Sequence, residues 1–216
     1  DACDICPTNP GSCGTFSDDF EDGALGSMWY VQDGSVTDAD EVAGALHLTG
    51  PDPETVQYGD VLTVGNIENV SSNGVVTATF EAVNPAPFTA YGVTLGTFDQ
   101  ADEAVITIFH DYDQMLNRGT MLSFSDEDVF TPPNYVDPEA IVIDLPEFSP
   151  GDTVTLELRM VDFSVTAYYS VNGQPFVPIG TQSMLGIDVA AGMFGGNWPP
   201  TALGAQSYDF PVLDFQ

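Results

Sequence analysis

The stretch Thr153–Ile179, TVTLELRMVDFSVTAYYSVNGQPFVPI, determines the fold class of this chain. Apolar and polar residues alternate with a period of two at its start and again over Phe163–Val171, which is the pattern of half-buried β-strands. The dipeptide Asn172-Gly173 follows directly, and it is the preferred sequence of a two-residue type I′ hairpin turn. The stretch therefore predicts antiparallel strands, the last of which lies at Pro175–Ile179.

The same pattern extends outward over most of the chain. Runs rich in Val, Ile, Thr and aromatic residues alternate with clusters of Gly, Pro, Asn and Asp, which are typical of strands and turns. Apolar residues nowhere recur at helical spacing over a helix-length run. We predict an all-β, two-sheet antiparallel sandwich or jelly roll with about ten to thirteen short strands. The further predicted strands are Gly74–Ala82, Ala90–Phe98, Ala104–His110, Ile141–Leu145, Ile187–Phe194 and Ser207–Phe215.

The composition indicates a folded domain with an extreme charge. The 216 residues are 43% hydrophobic, which is enough for a core, and they carry 33 acidic side chains against two basic ones, for a formal net charge of −31. Nucleic acids and anionic membranes are bound by Lys/Arg patches, so we expect neither as a partner. No apolar run reaches the length of a membrane span. Of the two arginines, Arg159 is expected to pair with a neighbouring acid, and Arg118 to lie in a turn.

The carboxylates are concentrated in short clusters, where ions in solution screen them poorly. Directly bound Ca²⁺ would neutralise such clusters, because it prefers several oxygen ligands. The alternative is a solvated acidic face on a protein from salty surroundings, and the two interpretations are compatible. The clusters are Asp18-Asp19, Asp38-Ala39-Asp40-Glu41, Asp111-Tyr112-Asp113 and Asp126-Glu127-Asp128.

All three cysteines, Cys3, Cys6 and Cys13, lie near the amino terminus. Zinc would require a fourth ligand, and a redox Cys-x-x-Cys should open a helix in a βαβ pattern, and the sequence offers neither. An acidic chain rich in Pro and Gly that begins with Asp suits a processed protein in an extracellular or cell-surface setting, where disulfides persist. Secretion and disulfide bonding are therefore expected.

The string Asp1–Pro7, DACDICP, resembles the end of a thrombospondin type 3 repeat. The resemblance implies that Asp1 and Asp4 are calcium ligands and that Cys6 pairs with Cys13. It leaves Cys3 unpaired or bonded to another chain. We therefore divide the chain into a Cys/Pro/Gly-rich segment, residues 1–14, and a β-sandwich domain, residues 15–216.

The sandwich region resembles concanavalin A-like and laminin-G-like jelly rolls. The motifs that carry the resemblance are FSDDFEDGALGSMW at Phe16–Trp29, GALHL at Gly44–Leu48, the strand–Asn-Gly–strand unit, AAGMF at Ala190–Phe194, and Tyr208-Asp209-Phe210. It implies two curved sheets of about six or seven strands each.

The same resemblance implies a structural calcium ion where the first and last strands meet. By position, its candidate ligands are Asp18, Asp19, Glu21 and Asp209. The alternative is that they are ordinary acids of turns and strand edges.

Catalytic signals are weak. Glycan-cleaving enzymes that share this jelly roll carry E-x-D-x-x-E or E-x-D-x-E on one strand, and neither motif occurs in this chain. A retaining hydrolase needs two carboxyl groups about 5–5.5 Å apart. Asp111 and Asp113, or Asp126 and Asp128, would share a strand face, but they stand in turn-like contexts. We expect no catalytic residue and no enzyme activity.

Binding signals are stronger. Lectins of this fold stack sugars on exposed aromatic rings, and Trp198 lies in a loop with two prolines that would display its indole. Tyr112 and Tyr135 also stand in polar, loop-like contexts. The alternative for Trp198 is that it caps the core of the sandwich.

The preferred interpretation is a non-enzymatic, extracellular, calcium-stabilised structural or adhesive module. It extends to a self-associating subunit of a filament or surface layer, in which cations would bridge the acidic copies. The alternative is a carbohydrate-binding domain of a larger secreted protein, with glycans as its partners.

Overall fold

The computed structural model describes residues 17–25, 29–31, 38–50, 60–64, 73–86, 89–96, 103–110, 119–125, 140–162, 164–183, 190–197 and 208–216. Within these ranges the chain is all-β, and its strands form two antiparallel sheets. The described ranges contain no helix that could cross a membrane. The expected two-sheet sandwich is confirmed.

Each sheet has seven described strands. In spatial order, sheet I consists of β1 (Trp29–Val31), β4 (Asp60–Val64), β13 (Ala190–Asn197), β6 (Thr89–Gly96), β7 (Glu103–His110), β8 (Thr120–Ser125) and β9 (Ile141–Asp144). Sheet II consists, also in spatial order, of β12 (Val177–Ser183), β11 (Ser164–Val171), β10 (Thr153–Val161), β5 (Asn73–Glu81), β14 (Asp209–Phe215), β3 (Ala45–Thr49) and β2 (Asp38–Val42).

The hairpin predicted at Asn172-Gly173 is present. Both residues have positive φ, 53° and 65°, as a type I′ turn requires, and the amide of Gln174 donates to the carbonyl of Val171 at 3.1 Å. Strand β12 begins at Val177, two residues later than the sequence indicates.

The alternation of β10 is also confirmed. Val154, Leu156, Leu158 and Met160 are at most 1% exposed and face the core. On the other face, Arg159 bonds to Glu157 through its Nε, and its guanidinium lies 4.6 Å from the centre of the Tyr168 ring. The expected pairing of Arg159 with a neighbouring acid is therefore confirmed.

Large aromatic side chains join the two sheets at the centre of the sandwich. Tyr91 of β6 is fully buried, and its ring centre lies 5.1 Å from that of Phe80 on β5 and 4.6 Å from that of Phe210 on β14. Its hydroxyl donates to the carbonyl of Val83 at 3.0 Å. Gly195 is required opposite, because a Cβ there would lie 2.8 Å from the Phe210 ring.

The segment that precedes β1 closes one end of the sandwich. The backbone of Asp18 forms two hydrogen bonds of 2.9 Å with Phe215, the last residue of β14. Phe20 is 1% exposed, and the Trp29 ring packs against both Phe20 and Phe215. The beginning and the end of the domain therefore meet, as the jelly-roll resemblance implies.

We predict that Tyr91→Phe lowers the free energy of unfolding by about 1 kcal/mol, which is the usual net value of one hydrogen bond. The ring packing is retained, but the Val83 carbonyl loses its donor. Urea unfolding of both proteins measures the difference. Tyr168→Phe, on the outer face of sheet II, is the control. An equal effect of the two substitutions would contradict the role assigned to the Tyr91 hydroxyl.

Candidate functional site

The structure separates the candidate calcium ligands of the sandwich. Asp18, Asp19 and Glu21 lie in the segment before β1, where Asp18 pairs with Phe215. Asp209 begins the seven-residue strand β14 that Phe215 ends, so it lies roughly 20 Å away along the strand. Asp209 instead accepts a hydrogen bond from Nδ1 of His47 at 2.8 Å. The expectation of one shared calcium site is corrected in this respect, because the two ends of β14 cannot contribute to one ion.

The carboxylate of Asp18 accepts a hydrogen bond at each oxygen. Its Oδ1 accepts from the Phe20 amide at 3.0 Å, and its Oδ2 accepts from Nε1 of Trp29 at 2.7 Å. Across the described ranges, no three His, Cys, Asp or Glu side chains are arranged to hold a metal ion. Calcium binding by Asp18, Asp19 and Glu21 stays a prediction.

Several candidate residues lie outside the described ranges. Calcium binding by Asp1 and Asp4, the disulfide expectation and the aromatic sugar contacts therefore stay predictions. The residues concerned are Asp1, Cys3, Asp4, Cys6, Cys13, Tyr112, Tyr135 and Trp198.

An acidic cluster lies beside this segment. Glu41 of β2 is paired with the core residue Leu46, and both of its carboxylate oxygens are buried. Burial raises the pKa of Glu41, and so do its contact with the Asp22 carboxyl and the negative charges of Asp18 and Asp22.

Asp214 lies on the other side of the cluster. Its burial and the negative charges of Asp19 and Asp18 raise its pKa, while a hydrogen bond of 2.9 Å from the Gln216 amide opposes the rise. Folding therefore favours protonation of Glu41 and Asp214.

A second polar feature lies on the face of sheet I that points away from the core. Thr94 of β6, Thr107 of β7 and Ser123 of β8 form what we call the hydroxyl patch. Thr107 pairs directly with Ser123, and Thr94 lies diagonally across on the neighbouring strand. All three are at most 1% exposed, and none of their hydroxyl oxygens has a hydrogen-bond partner.

Small and apolar residues surround the hydroxyl patch. Gly92 pairs with Thr107 on one side and with Phe194 on the other, and a Cβ on Gly92 would lie 2.9 Å from the Phe194 ring. The remaining neighbours form a small apolar cluster, which consists of Ala90, Phe109, Met121 and Val142. The hydroxyl patch and this apolar cluster contain no charged side chain.

Because the chain itself buries all three hydroxyls, a neutral ligand rich in hydroxyl groups can bond to them only where their cover is displaced. Each of the three hydroxyls can donate once and accept twice. An unpaired buried hydroxyl costs roughly 1–3 kcal/mol, so a ligand that bonds to it regains that free energy. No sequence pattern identifies these residues, because threonine and serine are ordinary strand residues. Only the register of three paired strands makes them neighbours.

Comparison with known proteins gives the fold a context. No protein-family model matches the sequence. No curated protein matches it. Among solved structures, the chain is similar to a xylan beta-1,4-xylosidase from Bacillus halodurans C-125, with 16% identity and a TM-score of 0.67 over 97% of this chain and 40% of that one. The chain thus spans less than half the length of that enzyme.

Two Bacteroides ovatus proteins are also similar. A family 43 protein of a xyloglucan locus has 14% identity and a TM-score of 0.65, over 97% of this chain and 41% of that one. A family 16 endo-glucanase has 11% identity and a TM-score of 0.59, over 93% of this chain and 98% of that one. At such identities the likeness establishes a shared jelly-roll fold.

These matches correct two expectations. A non-enzymatic structural or adhesive module and the absence of enzyme activity are both contradicted, because several of the similar structures are glycoside hydrolases. The expected absence of enzyme activity rested on the absence of a local acid motif, and the expected structural module rested on the acidic clusters and the calcium that they would bind. The carbohydrate-binding alternative agrees better with the matches.

We predict that Glu41→Gln stabilises the folded protein at neutral pH and that the gain disappears on acidification. The pKa of Glu41 is higher in the folded state than its ordinary value of 4.5. The protonated carboxyl therefore stabilises the fold, and this contribution is complete at pH values below 4.5. That contribution is lost as the pH rises through the folded-state value. Urea unfolding across the pH range measures the difference.

Asp40→Asn is the matched control, because Asp40 is the exposed neighbour of Glu41 on β2. Like Glu41→Gln, it removes one negative charge, but the charge that it removes is exposed to solvent. If both variants stabilised equally at neutral pH, the effect would reflect net charge alone and the local account would be wrong.

Proposed function

We propose that this chain is a glycan-binding domain of a carbohydrate-active protein and that the glycan lies on the outer face of sheet I. The observation that carries the proposal is the hydroxyl patch. Three buried hydroxyls without partners stand together on a sheet face, away from the core. Native structures rarely leave such groups unpaired without a reason.

The chemistry of the patch favours a neutral glycan. Sugar hydroxyls donate and accept as these side chains do. The described outer-face side chains of β6, β7 and β8 include no base to pair with a uronate or sulfate. Burying an unpaired anion costs several kcal/mol, so the described part of this face favours neutral over acidic glycans.

The similar structures support the same proposal. The family 16 proteins from Bacteroides ovatus are complexes with glucan-derived molecules, one of them the product G4G4G3G. The longer family 43 proteins match this chain over about 40% of their length, which supports a domain that acts within a larger carbohydrate-active protein.

Glycan hydrolysis by the domain itself is the second candidate. It is favoured by the family 16 match, which extends over 98% of that chain. A retaining mechanism would need a carboxyl pair about 5–5.5 Å apart. Asp111 and Asp113, which follow β7 in the sequence, are the candidates for that pair.

We predict that Thr107→Val stabilises the free protein by about 1 kcal/mol and weakens binding of a neutral β-glucan or xylan oligosaccharide about tenfold. Valine fills the same space, so the substitution removes an unpaired buried hydroxyl from the free protein and a bonding group from the complex. Urea unfolding and titration calorimetry measure the two effects.

Thr166→Val is the control, because Thr166 is also on a strand, but on the outer face of sheet II, where its hydroxyl bonds to Thr181 at 2.8 Å. It should leave glycan binding unchanged. If the parent protein binds the glycan and Thr107→Val binds it equally tightly, the assignment of the hydroxyl patch is wrong.

A hydrolysis assay decides between the two candidates. A mixed-linkage glucan oligosaccharide is incubated with the protein, and new reducing ends are counted. If the domain is the enzyme, Asp111→Asn and Asp113→Asn each abolish turnover but retain binding, because an amide neither donates a proton nor attacks as a carboxylate does. Binding without turnover in the parent protein would eliminate the second candidate.

A further inference from the structure

The Asn-Gly hairpin turn makes more contacts than a turn needs. Oδ1 of Asn172 accepts from the amide of Thr153 at 2.9 Å, and Nδ2 of Asn172 donates to Oδ1 of Asp152 at 2.8 Å. The backbone amide of Asn172 also donates to the Thr153 carbonyl at 2.9 Å. We call this set of bonds the turn clamp, because it joins the β11–β12 turn to the turn that precedes β10.

Asp152 connects the turn clamp to the rest of sheet II. Its Oδ2 accepts from the Ser149 amide at 2.7 Å, and its carbonyl accepts from the Ala82 amide at 2.9 Å. The Ser149 amide and then the Asn172 side chain lower the pKa of Asp152, so its carboxyl is held as an anion. The clamp therefore uses an amide donor from Asn172 against a fixed carboxylate.

Asn-Gly is also the sequence that deamidates most readily, because glycine leaves its amide nitrogen unhindered. In that reaction the Gly173 nitrogen loses its proton to base and bonds to Cγ of Asn172, and Nδ2 leaves as ammonia. Water then opens the cyclic imide. Cleavage of the new N–Cγ bond yields aspartate, and cleavage at the original backbone carbonyl yields isoaspartate. Asn172 is exposed, so water and base can reach it.

We infer that Asn172 is a deamidation site whose amide the turn clamp protects, and that its conversion to aspartate opens the clamp. While the clamp is closed, both side-chain polar atoms are held against residues 152–153, and Cγ is not free to move to the Gly173 nitrogen. After conversion, two carboxylates face each other, and the donor to Asp152 is lost. Modification would thus loosen the β10–β11–β12 end of sheet II.

The first experiment measures deamidation by peptide mapping with mass spectrometry after incubation in mildly alkaline buffer. Asn172 should react more slowly in the folded protein than in the urea-unfolded chain. Asp152→Ala should accelerate it about three- to tenfold in the folded protein, because one hydrogen bond of the closed state is lost. Asp152→Asn should not, since its amide oxygen still accepts from Asn172.

Asn73-Gly74, the other Asn-Gly pair in the chain, serves as an internal reference. It begins β5 and is not part of the turn clamp. Its rate should be the same in Asp152→Ala as in the parent protein. Equal rates at Asn172 in folded and unfolded protein would overturn the protection, and so would acceleration of both sites together.

The second experiment tests what the product does. Asn172→Asp, which reproduces one product, should lower the melting temperature by about 2–4 °C. Aspartate tolerates the positive φ of this position, so backbone strain is not the cause. Adding Asp152→Asn should restore the melting temperature, because an amide and a carboxylate again face each other in reversed order. A double variant no more stable than Asn172→Asp would overturn the inference.

Discussion

The contact between the inner faces of the two sheets is the interaction on which the rest of the structure depends. Tyr91 is its centre, because its ring touches Phe80 and Phe210 and its hydroxyl satisfies a backbone carbonyl. Period-two alternation sends the large apolar side chains of every central strand to this interface. The opposite face of sheet I carries the three unpaired hydroxyls and a smaller apolar cluster, and the candidate site lies there.

The described acids whose pKa is raised, Glu41 and Asp214, lie near Asp18 at one end of the sandwich. The acids near Asp18 are brought together because the first segment must pair with Phe215 to close the domain, and burial then raises the pKa of Glu41 and Asp214. On sheet II, Arg159 bonds to the neighbouring acid Glu157 and stacks on an aromatic ring. Local geometry, not total charge, decides which carboxyl groups have a raised pKa.

The sequence was sufficient for the fold where local signals agree. The alternation of β10 and the Asn-Gly turn predict the hairpin, because side-chain period and turn chemistry are both local. It was insufficient for β2, since DADEV is rich in residues that strands disfavour. It was also insufficient for the site: pairing across strands makes neighbours of Thr94, Thr107 and Ser123, and no motif records that pairing.

The same limit explains the wrong functional expectation. A missing acid motif is a statement about one strand, whereas a binding face is assembled from several. In a chain with a formal net charge of −31, the three hydroxyl residues and the apolar cluster beside them carry no charge. Clusters of like charge repel anions over about 8 Å at physiological salt, and an uncharged face cannot compensate for that repulsion. A neutral polyhydroxylated ligand meets no such penalty, so the distribution of charge and the unpaired hydroxyls favour the same class of ligand.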